Sequence, residues 1–579
     1  MQANVTHKIR RQIPFFILVL LPAFLMGMLV FKYGVNFPFS DQWQLASMFE
    51  KIYAGNLSFN DLFAQFHESR KFFPRLIFIG LAYLTNWDVR AEMWVIFLLT
   101  CLVSVNIYWL SCLTIKASLK NRLLIFAVAN LLIFSPAQYE NWLWGIQVVV
   151  YLPIACITAG LVLANSQLNE KSKLLIGLFL CIISTFSYAN GMLSWLLVFP
   201  ALIVGNCYKW REVFEQKLLI FGGAIAFLTS IVIYFYDYQK PADHPSFTEA
   251  LFRPLDTAHY FLSFLGAPLG INNLTLSTSV GLIVLSLWLG LTVYFLPLII
   301  RDFNLFKRLV GWQAIAAYAL ISGLVTSLGR VGFGISQSLA PRYTAFSIYL
   351  IVAVIYLLTI FVTEMKPKKV AKIISYFLVG IVIVLQLNIV NEAIQRMSDR
   401  RIILLQSKAC LLTVNVIPDN NCLVTKQKLD NFQPTATILN ELGFLKPGLL
   451  TTNKIGEIAK INNETNYGYF DTYELVEANT YLVRGWAILP ERKEPADGVI
   501  LTYENSQGEG IIFKLINQRF PRQEIAEHLQ NAAYLNSGWQ TEISAKELPS
   551  GTIKLNAWSF DANTGKAYKL NQTHVVINN

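Results

Sequence analysis

Long apolar runs recur through the first two-thirds of the chain and stop near residue 391, and this limits the fold more than any other feature. A helix crossing the ~30 Å hydrocarbon core of a bilayer needs about 20 mostly apolar residues. Runs close to that length lie at 13–32, 91–115, 121–135, 147–165, 174–188, 191–206, 218–236, 276–299, 309–328, 344–363 and 371–390. They predict an α-helical polytopic membrane domain of about eleven transmembrane helices over residues 1–391. The chain is 54% hydrophobic and 14% charged, against about 25% charged in soluble domains. The segment 72–86 is amphipathic and is expected at the membrane interface. Lys8, Arg10 and Arg11 before the first run resemble a signal peptide, but no small-residue cleavage site follows, so the run is expected to be retained.

Charge orients the runs. With the N-terminus inside, the inner segments hold Lys8, Arg10, Arg11, Lys116, Lys120, Arg122, Lys171, Lys173, Lys209, Arg211 and Lys217. Arg301, Lys307, Arg308, Lys366, Lys368, Lys369 and Lys372 complete the set. Their acidic neighbours are only Glu170, Glu212, Glu215, Asp302 and Glu364. The inner segments therefore account for the whole net charge of +11. No basic surface is left over for nucleic acid. An odd number of spans places the rest of the chain on the extracytoplasmic side, with multi-pass insertion in a bacterial inner (cytoplasmic) membrane as the expected location.

After residue 391 ordinary polar composition returns. Residues 392–464 read as a mixed extracytoplasmic connecting region. From 465 to 579, runs such as Thr480–Ala487, Gly498–Tyr503, Gly538–Ser544, Thr552–Phe560 and His574–Ile577 alternate with Gly, Pro, Asn and Asp, which predicts a β-sandwich domain. Cys410 and Cys422 are the two cysteines of this outer region; a disulfide between them and two separate buried thiols are the alternatives.

Ionisable residues are nearly absent from the middle of the spans, which argues against a coupled pump. Groups able to do chemistry collect at the outer helix ends instead. Asp41 follows the first span in Phe37-Pro-Phe-Ser-Asp-Gln-Trp43, where a lowered dielectric suits a general base and a helix-start carboxylate is the plainer reading. Ser40 is expected to cap a helix starting at Asp41, and Ser58 with Asp61 to form a capping box. One helical turn through His67-Glu68-Ser69-Arg70 would set His67, Arg70 and Lys71 side by side for an anion. As adjacent residues, His67 and Glu68 make a poor pair of metal ligands.

Gln138–Gln147, with Glu140, Asn141 and Trp142, and Ser187–Gly191, with Asn190, join amides and a carboxylate to aromatic rings, a combination suited to sugars and equally to an interfacial belt. Arg330 in Gly329–Gly334 and Arg342-Tyr343 can hold a phosphate or snorkel to headgroups. Walker A, zinc-finger and Gly-x-Ser-x-Gly patterns are missing.

In this order, the first span, Asp41 opening a long outer loop, His67-Glu68-Ser69-Arg70, Glu140-Asn141-Trp142, Arg330 and Arg342-Tyr343 resemble the GT-C class of polytopic membrane glycosyltransferases, in particular large bacterial members. The resemblance covers about residues 10–390. It implies inverting transfer of a sugar from a polyprenyl-phosphate donor to a glycan, lipid or protein acceptor on the extracytoplasmic face. Asp41 would be the general base, and Arg330, Arg342 and Arg70 would bind the donor phosphate. Trp43, His67, Glu68, Glu140, Asn141, Trp142, Asn190 and Tyr343 would hold substrate. Many members carry paired acids in this loop, whereas here Asp41 is followed by Gln42, which leaves a divalent metal as an open cofactor. A lipid-linked saccharide flippase, or a scaffold with a glycan-binding β-domain, is the alternative function.

Overall fold

The structure is a computed structural model that describes residues 13–241, 245–364, 368–417, 423–424, 427–428, 433–460, 464–477 and 479–578. It divides into two compact units: residues 1–34, 58–80 and 90–397, and residues 35–57, 81–89 and 398–579.

The first unit is helical. Among the described residues ten helices are long and apolar enough to cross a membrane: Ile13–Tyr33, Arg90–Thr114, Leu119–Trp142, Gly145–Ala164, Ala189–Asn206, Lys217–Phe235, Leu274–Arg301, Phe303–Phe333, Pro341–Thr363 and Lys369–Leu412. The run expected at 174–188 forms the shorter helix Glu170–Thr185, of 16 residues. The last helix does not stop where its apolar run stops. It continues unbroken for 44 residues, and the division between the units falls inside it.

Helix starts are set locally. The side chains of Ser118, Asn169 and Asn273 accept hydrogen bonds from the backbone N–H groups of Asn121, Ser172 and Leu276, and Asp302 accepts from Asn304 and Leu305. Between helices, small residues and buried amides set the spacing. A Cβ on Gly205 would lie 2.0 Å from the carbonyl oxygen of Ala164, so the two helices touch backbone to backbone there. Ser104 donates to Asn130 at 2.7 Å, and Asn130 donates in turn to the carbonyl of Val19 at 3.0 Å, which ties three helices together.

The two ends of this unit differ in chemistry. At one end basic side chains reach helix C-termini: Lys173 donates to the carbonyl of Ala164 (3.1 Å), Arg308 to Thr114 (2.6 Å), Lys307 to Cys207 (3.1 Å) and Arg122 to Ile115 (3.1 Å). These cations meet carbonyls that have no partner within their own helix, where the helix dipole is negative. All four belong to the inner segments chosen by charge in the sequence.

The second unit joins the segments 35–57 and 81–89 to the C-terminal part. Helix Leu45–Tyr53 sets Phe49 4.9 Å from Trp87 and 4.8 Å from Phe444, ring centre to ring centre. The strand-rich region holds two sheets. One runs in the order Gly510–Ile516, Gly498–Glu504, Gly551–Asp561, Lys566–Lys569, Ala459–Lys460, with His574–Asn578 also paired to Gly551–Asp561. The other runs Gly538–Ser544, Thr480–Leu489, Gly468–Glu477, with Glu494–Pro495 paired to Thr480–Leu489. Each run expected from alternation is found as a strand within a residue or two. Phe470, Val483 and Trp539 from the second sheet and Val499, Leu501 and Leu555 from the first belong to one buried cluster. Cys410 is disulfide-bonded. Cys422, the partner expected for it, lies outside the described residues.

An ion network closes this unit. Arg492 binds Asp497 (2.6 Å), Asp561 (2.8 Å) and Glu494, and Arg401 binds Glu494 at 3.2 Å. Burial raises the carboxyl of Asp497, although Arg492 opposes the shift. For Glu494 burial acts upward too, yet Arg401 and Arg492 together hold it below the usual carboxylate range. Asp497 has no solvent exposure, so removing the Arg492 guanidinium leaves its buried charge facing only the more distant guanidinium of Arg519, at 3.8 Å. Arg492→Met is expected to cost about 3–5 kcal/mol, and adding Asp497→Asn should recover part of that loss. Thermal unfolding of the purified protein and both variants checks this.

Candidate functional site

At the end of the first unit opposite the basic cluster, residues 65–70 form a two-strand hairpin. Gln65 and Phe66 pair with Arg70 and Ser69, and His67 takes φ of 49° in the turn. The helical turn expected for His67–Arg70 is thus replaced by a hairpin. In a hairpin Arg70 faces back across the pair, and it does not line up beside His67.

Arg70 is buried and its guanidinium is spent on backbone. Nε donates to the carbonyl of Tyr234 at 2.7 Å, Nη1 to Phe63 at 3.1 Å, and Nη2 to Tyr236. Two of these carbonyls lie at the C-terminus of helix Lys217–Phe235, which has the polarity to hold a cation. Gln65 and Gln239 exchange hydrogen bonds beside it, and Tyr234 donates to the carbonyl of Glu68 at 2.7 Å. Arg75 repeats the device on the carbonyls of Leu62 and Ala64. The capping box expected at Ser58 and Asp61 is present and starts the short helix Phe59–Phe63 before the hairpin.

This framework aims the turn residues. The carboxylate of Glu68 meets Arg330, the last residue of helix Phe303–Arg330, at 2.5 Å. His67 lines a cavity of about 870 Å³ with Phe63, Gln65, Arg70, Gln239 and Lys240. A second pair joins Glu140 to Arg342 at 3.3 Å. Asn141 holds that arginine's backbone by donating to the carbonyls of Pro341 (3.4 Å) and Arg342 (3.2 Å). The guanidinium of Arg342 lies 5.1 Å from the ring centre of Tyr343. Asn190 sits half-buried in the turn Ala189–Met192, whose first N–H donates to Ser69 of the hairpin at 3.1 Å.

Two tyrosines link the pairs electrostatically. Tyr188 is coupled to Glu68, Tyr343, Arg330 and Arg342, and Tyr260 to Tyr343 and both arginines. Burial raises the Tyr260 hydroxyl above its ordinary value, which keeps it a neutral donor. Tyr260 carries no sequence signal of its own: it sits on helix Pro254–Gly266 with no motif around it.

The structure therefore brings Glu68, Arg330, Glu140, Arg342, Asn141 and Tyr343 into one region. Trp142 lies in the same region but is fully buried, with its indole N–H on the carbonyl of Ser135 at 2.9 Å. It has no face to offer a sugar and serves as support. Asp41 and Trp43 belong to the second unit, in the turn Ser40–Gln44. There Phe39, and not Ser40, takes the cap position: its N–H donates to Gln42 Oε1 at 3.1 Å, while Ser40 has φ of 49°. Asp41 is half-buried and accepts from Ser40 Oγ at 3.3 Å; Trp43 is buried 6.1 Å from the ring centre of Phe37. Among the described residues no three His, Cys, Asp or Glu side chains are grouped to hold a metal ion.

No family model matches the chain, and no curated protein or solved structure matches it.

Both arginine–carboxylate pairs are partly exposed, with 23% and 35% of the side chain open at Arg330 and Arg342. Such pairs contribute little to stability, so they are open to exchange with another anion. Arg70 is the opposite case, because its donors hold buried carbonyls. Arg70→Ala is expected to lose about 3 kcal/mol or more and to open residues 234–241 to protease, whereas Arg330→Gln leaves the unfolding midpoint within about 1 kcal/mol of the parent. Thermal unfolding combined with limited proteolysis distinguishes the two.

Proposed function

We propose that the chain is a multi-pass protein of a bacterial inner membrane, with its basic end cytoplasmic and its C-terminal strand-rich region an extracytoplasmic β-sandwich. Its activity is transfer of a sugar from a polyprenyl-phosphate donor to a glycan, lipid or protein acceptor at the outer face. The observation that carries this reading is the pair of ion pairs Glu68–Arg330 and Glu140–Arg342 at the end of the helices opposite the basic cluster. On this reading the two guanidinium groups would lie at the depth of lipid headgroups, beside the phosphate of a lipid-linked donor.

In this mechanism the donor phosphate displaces Glu68 and Glu140 from the arginines. As the acceptor oxygen bonds to the anomeric carbon and the bond from that carbon to the phosphate oxygen breaks, negative charge grows on the departing phosphate. Arg330 and Arg342 neutralise that charge with donors already in place, which lowers the barrier. Tyr260, as a neutral hydroxyl, adds a further donor. His67, Asn190 and Tyr343 offer hydrogen-bonding groups for the saccharide. Asp41 is the proposed base that takes the acceptor's hydroxyl proton, and this assignment rests on its place in the GT-C-like order of motifs.

Two measurements test the reading. Transfer from polyprenyl-phosphate sugars should fall about 10²–10⁴-fold in Asp41→Asn and about 10²–10³-fold in Arg330→Ala, with membrane insertion intact. Undiminished transfer in Asp41→Asn removes the base assignment, and lack of transfer by the parent with every donor tried favours a flippase or scaffold. Separately, a topology reporter fused after residue 400 should signal from the extracytoplasmic side; a cytoplasmic signal overturns the orientation.

A further inference from the structure

At the basic end of the first unit the last long helix leaves a groove against its neighbours. The groove, about 270 Å³, lies between helices Leu119–Ile133, Thr344–Glu364 and the start of Lys369–Leu412. Each helix turns one continuous face to it. Asn121, Leu124, Ile125 and Val128 repeat at helical spacing on the first, and Ile355, Leu358, Thr359 and Val362 on the second. Ser375, Tyr376 and Val379 complete the lining from the third.

The serine and threonine hydroxyls in this lining are not available to a polar ligand. Thr359 donates to its own helix at Ile355, Thr363 to Thr359 and Ser375 to Ala371, at 2.7–2.9 Å. What remains, apart from the Asn121 amide and the Tyr376 hydroxyl, is hydrocarbon. The third helix is also bare on its other sides, with Val370, Ile373, Ile374, Tyr376 and Phe377 all more than half exposed. Its apolar surface near this end must be covered by something of the same character.

The mouth is different. Lys372 lies one turn before Ser375 and Tyr376 on the same helix face, and Lys368 and Lys369 are exposed just before it. In sequence the described segments beside the mouth, 116–122 and 368–372, hold Lys116, Lys120, Lys368, Lys369 and Lys372 with no acid, while Arg122 is held by the carbonyls of Ile115 and Ala117. A hydrocarbon slot ending at a cluster of cations fits an amphiphile with an apolar chain and an anionic head.

We infer that this groove binds one acyl chain of an anionic phospholipid from the leaflet at the basic end, with its phosphate held by Lys372 and the neighbouring lysines. The inference rests on the reading that the helices cross a bilayer. That reading is tested first by alkaline extraction, after which the chain must stay with the membrane pellet. The full chain in detergent is then mixed with equal amounts of phosphatidylglycerol and phosphatidylcholine and examined by native mass spectrometry.

Phosphatidylglycerol is expected to be retained in preference to phosphatidylcholine. Lys372→Gln should reduce its retention about fivefold, as loss of one surface cation predicts. Leu358→Trp, which fills the slot, should reduce it further, while Leu175→Trp on the exposed face of helix Glu170–Thr185 should leave it unchanged. Equal retention of the two lipids, or preference for phosphatidylglycerol untouched by both groove variants, overturns the site. Should Leu358→Trp fail to fold, Lys372→Gln decides alone. A chain released by alkali refutes the membrane reading instead.

Discussion

The organisation of the helical unit depends on one requirement: a backbone carbonyl or N–H in apolar surroundings must find a partner within the protein. Helix interiors meet it automatically, and helix ends do not. At one end the C-terminal carbonyls of three helices are taken by Lys173, Arg308, Lys307 and Arg122. At the other, the carbonyls of Tyr234 and Tyr236 are taken by Arg70, which is carried there on a hairpin. The candidate site is a by-product of this second solution. Once Arg70 anchors the hairpin, the turn residue Glu68 has a fixed position, and Arg330 meets it there.

What the sequence made legible follows from this. Apolar runs and alternating strands record burial, and burial is a local pattern that each segment carries by itself; hence the helices and strands lie where hydrophobicity placed them. Basic residues between the runs were readable as charges, although the carbonyls that Lys307 and Arg308 take lie 100 and 194 residues away. The hairpin was not. His67-Glu68-Ser69-Arg70 has neither Gly nor Asn to announce a turn with positive φ, and two of the three backbone partners of Arg70 are more than 160 residues away. Tyr260 was invisible for the same reason. Its meaning lies in Tyr343 and the two arginines, which only folding brings near.

The end of the last helix shows the other limit. Apolar composition stops near residue 391 but the helix runs to Leu412, because residues 391–412 contain no Gly or Pro and include many good helix formers. A change of solvent along a chain need not be a change of secondary structure. In the second unit this later stretch acquires partners of its own: Arg401 joins the Arg492 network through Glu494, and Leu412 accepts from the N–H of Leu450.

Charge pairing also explains how Arg330 and Arg342 can stand near helix ends. A guanidinium there, with no counterion, would sit in a medium that solvates it poorly. Glu68 and Glu140 neutralise the two charges, yet each pair keeps enough exposure for water to screen it. Such a pair holds geometry more than it holds energy. In the proposed transfer the donor phosphodiester would carry a single charge, as a carboxylate does, and would gain a second only as the bond to the sugar breaks, which is when guanidinium groups would hold it best. Arg70 could not take part in such an exchange, because letting go of its carbonyls would leave them buried and unpaired. The division of labour among the three arginines is therefore set by what each would leave behind on release.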